Sequence, residues 1–217
     1  MVDFAHARHN MVLSQLRPSG VRDERVIAAM AAVPREAFVA PYQQAIAYVD
    51  EDLPLGAGRY LMEPLVFGRL LVAAEVGPDD VVLDVGCASG YSAAVLARLA
   101  GTVVALEEDE GLADRADSSL VALGVDNAAI MRRPLAGGYV EQGPYDVIVI
   151  EGAVPAIPDG IAEQLREGGR LVAVVGNADI GRCVVVKRIG GLLSERITHD
   201  AAIPPLPGFA RRAEFVF

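Results

Sequence analysis

The first chemistry this sequence offers is a carboxylate ahead of a loop of small residues. Asp84 interrupts the apolar run Val81 to Val85 and is followed by Gly86-Cys87-Ala88-Ser89-Gly90-Tyr91. Glycine at 86 and 90 lets the chain turn sharply and the backbone approach a bound group, while the N–H groups that open the next helix favour an electron-rich partner. A second apolar run, Thr102 to Leu106, ends in Glu107-Glu108. Glu107 follows Asp84 by about twenty positions, the spacing at which a carboxylate on the tip of a second strand meets ribose hydroxyls. The candidate cofactor residues are therefore Asp84, Gly86, Cys87, Ala88, Ser89, Gly90, Glu107 and Glu108, and the implied cofactor carries adenosine.

Other constellations are poorer. His6, His9 and His199 lie near the chain ends, and Cys87 and Cys183 have no metal-ligand spacing, so no metal site and no disulfide framework is expected. Ser89 falls in Gly-x-x-Ser-Gly rather than in a nucleophile elbow, and no Lys follows Gly90 as a phosphate-binding loop would require.

The elements that must position these residues follow from periodicity. The spacing predicts strands at 81–85, 102–107, 128–132, 145–150 and 170–175, separated by helices at 90–99, 110–123 and 159–166, with Gly168-Gly169 ending the last helix. Strands separated by helices imply parallel pairing with right-handed crossovers. After Gly176 the pattern changes to strands alone, near 182–189, 192–200 and 211–217, with Gly190-Gly191 as a hairpin signal, so the sheet is expected to finish antiparallel. Upstream, residues 3–17 form a loosely helical stretch, Asp23 caps a second helix through Ala32, and Glu63-Pro64 opens a third that runs to Glu75. Between them, residues 33–62 read as a long irregular segment, which inside a compact domain is usually functional or packed over a site. The expected fold is α/β, Rossmann-like, a mostly parallel doubly wound sheet with antiparallel C-terminal strands. Residues 1–63 are an N-terminal helical extension and active-site cover, and residues 64–217 the cofactor-binding domain, in one compact unit.

Composition excludes several classes of function. The chain has 217 residues and a formal net charge of −10, which opposes a nucleic-acid footprint; Arg132-Arg133 and Arg211-Arg212 read as solvated doublets near strand ends. No apolar run approaches the roughly 18 residues of a membrane span, and the N-terminal stretch lacks the long apolar region of a signal peptide. A soluble cytoplasmic protein with reduced cysteines is expected.

The order of motifs resembles the protein-L-isoaspartate O-methyltransferase family, within the class I S-adenosylmethionine-dependent methyltransferases. The residues that carry the resemblance include Val33-Pro34-Arg35-Glu36 with Phe38-Val39, Ala47-Tyr48 with Asp50, Leu53-Pro54-Leu55-Gly56, Leu83-Asp84-Val85-Gly86 through Tyr91, Glu107, Pro144-Tyr145-Asp146, and Gln164-Leu165 with Gly168-Gly169-Arg170. The resemblance implies S-adenosylmethionine as cofactor, with the 86–90 loop under its methionine part, Glu107 on the ribose, and Asp84 orienting the loop. It also implies methyl transfer to a carboxylate of L-isoaspartyl residues, hence a protein or peptide substrate.

Three departures from the family pattern bear on that activity. Where the family has Gly-Gln-Thr-Ile-Ser-x-Pro, this chain has Gly58-Arg59-Tyr60-Leu61-Met62-Glu63-Pro64, so both hydroxyl positions are changed. The family's Gly-Asp-Gly, whose Asp lies near adenine, is Arg133-Pro134-Leu135 here. The middle glycine of the first loop is Ala88, acceptable at negative φ, and the Thr-Ala after the fourth strand is Glu151-Gly152.

Methyl transfer from a sulfonium mainly requires alignment of donor and acceptor, and a carboxylate acceptor needs no general base. The candidate substrate pocket is Arg59, Tyr60, Met62 and Glu63. In it Arg59 could meet an acceptor carboxylate, and Glu63 or Glu151 could act as a base for a neutral acceptor. The blander arrangement has Arg59 and Glu63 paired on the surface, with Tyr60 and Met62 packed under the long segment. Two other functional readings stay open: a methyltransferase with a different acceptor, and a non-catalytic paralogue that keeps the scaffold as a cofactor-binding or interaction module.

Overall fold

The computed structural model describes residues 2–209. A seven-stranded sheet forms its centre, built from β3 (Val81–Val85), β4 (Thr102–Glu107), β5 (Ala128–Arg132), β6 (Tyr145–Val154), β7 (Leu165–Gly176), β8 (Gly181–Ile189) and β9 (Leu192–Asp200), in the order β5-β4-β3-β6-β7-β8-β9. The first five in that order pair in parallel, and β8 and β9 are added antiparallel. The expected fold class is therefore the one observed. The strand anticipated at 211–217 lies outside the described residues.

Alternation along the strands divides the core into two faces. Val82, Val103, Val147, Val149, Val172 and Val174 bury on one side with α2 (Glu24–Ala32), α3 (Pro64–Ala74), α4 (Tyr91–Leu96) and α5 (Glu110–Ala122). Leu83, Val85, Leu106, Ile148, Ile150 and Leu171 bury on the other with α6 (Asp159–Ala162), Leu206 and Phe209. The first cluster runs without a break from Met11 and Leu16, in the turn just after the N-terminal helix α1 (Phe4–Asn10), into the sheet. Among the described residues no helix is long and apolar enough to cross a membrane.

Two local expectations fail for identifiable reasons. The segment 33–62 is less irregular than its Pro and Gly content suggests, because it folds into short 3-10 turns and a separate hairpin, β1 (Leu53–Gly56) and β2 (Arg59–Leu61). Gly168-Gly169 does not end a helix. The helix closes at Ala162, and the two glycines lie within β7, where pairing with β6 slips between Tyr145 and Val147. Gly169 packs against the backbone oxygens of Arg166, Tyr145 and Asp146, at distances no side chain would allow.

The hairpin is held from beneath by the diagnostic upstream residues. Arg35 is fully buried; it donates to the carbonyls of Ala47 and Met62, both at 2.8 Å, and its guanidinium stacks over the Tyr91 ring. Gln43 donates to the carbonyl of Pro54, and Asp50 and Asp52 accept from the backbone N–H groups of Leu65 and Glu63 where α3 begins. These residues brace the hairpin against α3 and α4 rather than contact a reactive centre.

Candidate active site

Strand order reverses on either side of β3, between β4 and β6, and a ligand of an open α/β sheet lies at the carboxyl ends of such strands. Asp84, the 86–90 loop, Glu107 and Glu151 all meet at that edge. The loop takes a tight path: Gly86, Ala88 and Gly90 have φ of +89°, +49° and +92°. Ala88 therefore departs from the negative φ expected of it, and as a residue with a Cβ in the left-handed region it costs about 1 kcal/mol. Gly90 is required by packing, since a Cβ there would lie 2.9 Å from that of Ala116 on α5. The N–H groups of Gly86 and Cys87 donate to the carbonyl of Leu106, and that of Gly90 to Cys87. The loop is thus tied to β4 by its own backbone.

Glu107 ends β4 fully buried, and its carboxylate is saturated. One oxygen accepts from the N–H groups of Glu108 and Asp109, at 3.0 and 3.1 Å. The other accepts from the N–H of Ala88 at 2.8 Å and from Arg59 Nε at 3.2 Å. A carboxylate has about four lone-pair positions, so no free acceptor is left for a ribose hydroxyl while Arg59 stays.

Arg59 is the largest departure from the expected site. It does not pair with Glu63 on the surface. It is 4% exposed, forms a buried ion pair with Glu107 and donates through Nη2 to the carbonyl of Gly86. Its guanidinium fills the space over Gly86 that a bare glycine leaves open, with Leu206 alongside. Tyr60, next along β2, is 38% exposed, and Met62 is buried beneath the segment.

Around this guanidinium lie two further carboxylates. Asp84 is fully buried; Oδ2 accepts from Ser92 Oγ at 2.7 Å, whereas Oδ1 has no partner. Burial pushes its pKa up to about 7, with Ser92 and Arg59 opposing and Glu107 assisting. Glu151 lies where β6 loses its pairing with β7, between Val149 and Ala153. Its Oε1 is buried without a partner, and burial followed by the charge of Asp84 raises it well above the usual carboxylate range.

The other expected residues divide clearly. Cys87 is buried, its thiol raised chiefly by burial; Ser89 is buried and donates to the carbonyl of Phe38, which turns its hydroxyl toward the braced segment. Glu108 is exposed, with its carboxylate near Gly208. Glu63, at the start of α3, has its pKa raised to about 7 by burial and by Asp52 and Asp50. Pro134 leads into a short turn, while Arg133 pairs with Glu141 and stacks on Tyr139. Arg132 pairs with Asp114 and Asp117 in solvent, as a solvated doublet should. Among the described residues no cluster of ligating side chains could hold a metal ion.

Residues 203–206 were legible only as a loop, yet they roof the site. Ala153 N–H donates to the carbonyl of Pro204 and Leu206 N–H to that of Ala153. Gly152 permits this close approach, because a Cβ there would come within 2.9 Å of Leu206 Cβ.

The donor set suits a cation, since two buried carboxylate oxygens lack partners beside a fixed guanidinium. Space is the difficulty. Two gaps of about 10 Å³ lie at the site, one lined by Arg59 with Tyr60, Glu151 and the 203–205 roof, the other between Met62, Phe67 and the glycine loop. Each holds a water molecule at most.

Comparison with known proteins adds the lineage. The model of the family described as Protein-L-isoaspartate(D-aspartate) O-methyltransferase (PCMT) matches residues 7–206. The protein-L-isoaspartate O-methyltransferase of Koribacter versatilis (strain Ellin345) is 39% identical over 208 residues, 96% of this chain and 94% of that protein. The protein of that name from Methanoculleus marisnigri (strain ATCC 35101 / DSM 1498 / JR1) is 41% identical over 95% of this chain and 94% of its own. Two solved structures share the fold. One, a protein-L-isoaspartate O-methyltransferase, has a TM-score of 0.81 at 23% identity, covering 93% of this chain and 67% of that one. The other, a putative protein-L-isoaspartate O-methyltransferase from Plasmodium falciparum in complex with S-adenosyl-L-homocysteine, has a TM-score of 0.78 at 18% identity, covering 96% of this chain and 100% of that one.

Proposed function

This chain belongs to the protein-L-isoaspartate(D-aspartate) O-methyltransferase family, and we propose that it transfers a methyl group from S-adenosylmethionine to a carboxylate of L-isoaspartyl residues in proteins or peptides. The observation that carries this reading is the convergence of Asp84, the 86–90 loop and Glu107 at the strand-order reversal, in a chain aligned with the family over nearly its whole length. The two free, buried cysteines suit a reducing compartment, and the same reading puts the protein in the cytoplasm.

When bound, the cofactor supplies an electrophilic methyl group on a positively charged sulfur. Glu107 would hold the ribose hydroxyls, in the lone-pair position that Arg59 Nε now takes. Asp84 Oδ1 and Glu151 Oε1 would meet the positive charge of the methionine part, which supplies the partner each lacks. The roof of Ile203 to Leu206 and the hairpin would exclude water, and alignment in a dry site is the main protein contribution to such a displacement. Neither Glu63 nor Glu151 is needed as a base, because a carboxylate acceptor is already ionised.

The test is transfer of labelled methyl groups to a peptide containing one L-isoaspartyl residue, with the matching aspartyl peptide as control. Base-labile label on the first alone supports the reading; label on neither, with donor bound, contradicts it. A second reading, a changed acceptor, is favoured by Tyr60 and Met62 in place of the family hydroxyls. It requires label on another carboxylate, hydroxyl or amine in an acceptor screen.

A further inference from the structure

Arg59 occupies the floor of the cofactor site with a side chain whose charge resembles that of the ligand. It makes an ion pair with Glu107 and donates to the carbonyl of Gly86, and both partners belong to the segments that would carry the cofactor. With Arg59 in place, Glu107 is saturated, and the gap that Arg59 lines with Tyr60 and Glu151 measures about 10 Å³. A molecule with its ribose on Glu107 and its chain over Gly86 cannot share that space with the guanidinium.

We propose that Arg59 is an internal occupant of the donor site and sets donor affinity by competition, so that S-adenosylmethionine binds by displacing the guanidinium, its ribose hydroxyls taking the place on Glu107 that Arg59 Nε holds. The proposal rests on the donor-site reading above. Arg59 is carried by β2, in a two-stranded hairpin that hydrogen-bonds to neither edge of the central sheet. Its departure therefore leaves the seven-stranded ladder intact. The hairpin turn, Ala57 and Gly58 with φ of +51° and +70°, immediately precedes Arg59. Tyr60, at a position where the family pattern has an acceptor-side hydroxyl, is on the same strand, and Met62 follows just after it, so that acceptor contacts and donor access lie on one short segment.

Competition has a calculable form. If only the fraction of molecules with Arg59 withdrawn can bind, apparent affinity falls by that fraction. A guanidinium held by one buried ion pair and one carbonyl is withdrawn rarely, and removing it should tighten donor binding by about tenfold or more. Glutamine, the residue the family pattern has at this place, has the length to stay on β2 but no charge to hold it to Glu107.

Calorimetric titration with S-adenosylhomocysteine should therefore give a Kd for Arg59→Gln at least about tenfold below that of the unaltered protein, or binding by Arg59→Gln where the unaltered protein shows none. Equal or weaker binding by the variant overturns the proposal and leaves the donor-site reading standing. No binding by either protein overturns that reading, and the proposal with it. A measurement on the unaltered protein guards against a misfolded variant: phenylglyoxal labelling of Arg59, mapped by mass spectrometry. Arg59 should be protected in the free protein and become reactive at saturating S-adenosylhomocysteine; protection unchanged by bound ligand overturns the exchange.

Discussion

Among single residues, Arg59 shows how little a motif position says about a side chain's partner. Its place in the family segment, beside Tyr60 and Met62, points to an acceptor carboxylate or a surface pair, and both expectations treat it as local. Its true partners are Glu107 and Gly86, distant in sequence and brought close only by the hairpin's fold over the sheet edge. Asp84 and Glu107, by contrast, were legible, because strand ends and spacing place them without tertiary information. Glu63 gives a prediction at this scale. Its pKa is raised from an ordinary 4.5 to about 7, so the folded state holds the proton more tightly than the unfolded chain. Its favourable contribution is complete below pH 4.5 and is lost as pH rises through about 7. Glu63→Gln should raise Tm relative to the unaltered protein at pH 8, with the gain shrinking to nothing by pH 4. A difference that is constant with pH would contradict this assignment.

At the scale of elements, the most diagnostic stretches prove to be supports. Val33 to Val39, Ala47-Tyr48 and Asp50 brace the hairpin through Arg35 and the start of α3, a role visible only once Arg35 is seen bridging Ala47 and Met62. Strands β3, β4 and β6 were legible because buried parallel strands are continuous apolar runs with tight punctuation. The hairpin was not, since four residues against three carry too few periods to stand out from a loop rich in Pro and Gly. Gly168-Gly169 misled for a related reason: a glycine pair marks a helix end and a strand bulge equally well. Arg35→Met should cost about 3 kcal/mol in denaturant unfolding, because two buried carbonyls lose their donor. It should also admit protease at residues 53–61 before global unfolding. A loss under 1 kcal/mol with the hairpin still protected would show that Arg35 does not hold it.

For the whole molecule, two clusters on opposite faces of one sheet tie the N-terminal helices to the cofactor edge, and the roof of 203–206 closes that edge from the far end of the chain. Hydrophobic patterning foretold the sheet and its antiparallel finish, since each strand's alternation is a local property. It could not foretell that Leu206 and Arg59, one from each side of the sequence, would cover the same glycine. The central claim is that the 86–90 loop and Glu107 form a donor site that Arg59 must vacate. A crystal structure of the protein grown with S-adenosylhomocysteine tests it most directly. The account expects the ribose on Glu107, the amino-acid portion beside Asp84 and Glu151, and the Arg59 side chain withdrawn from Gly86. Ligand bound away from the loop, or bound on it with Arg59 still paired to Glu107, would contradict the account.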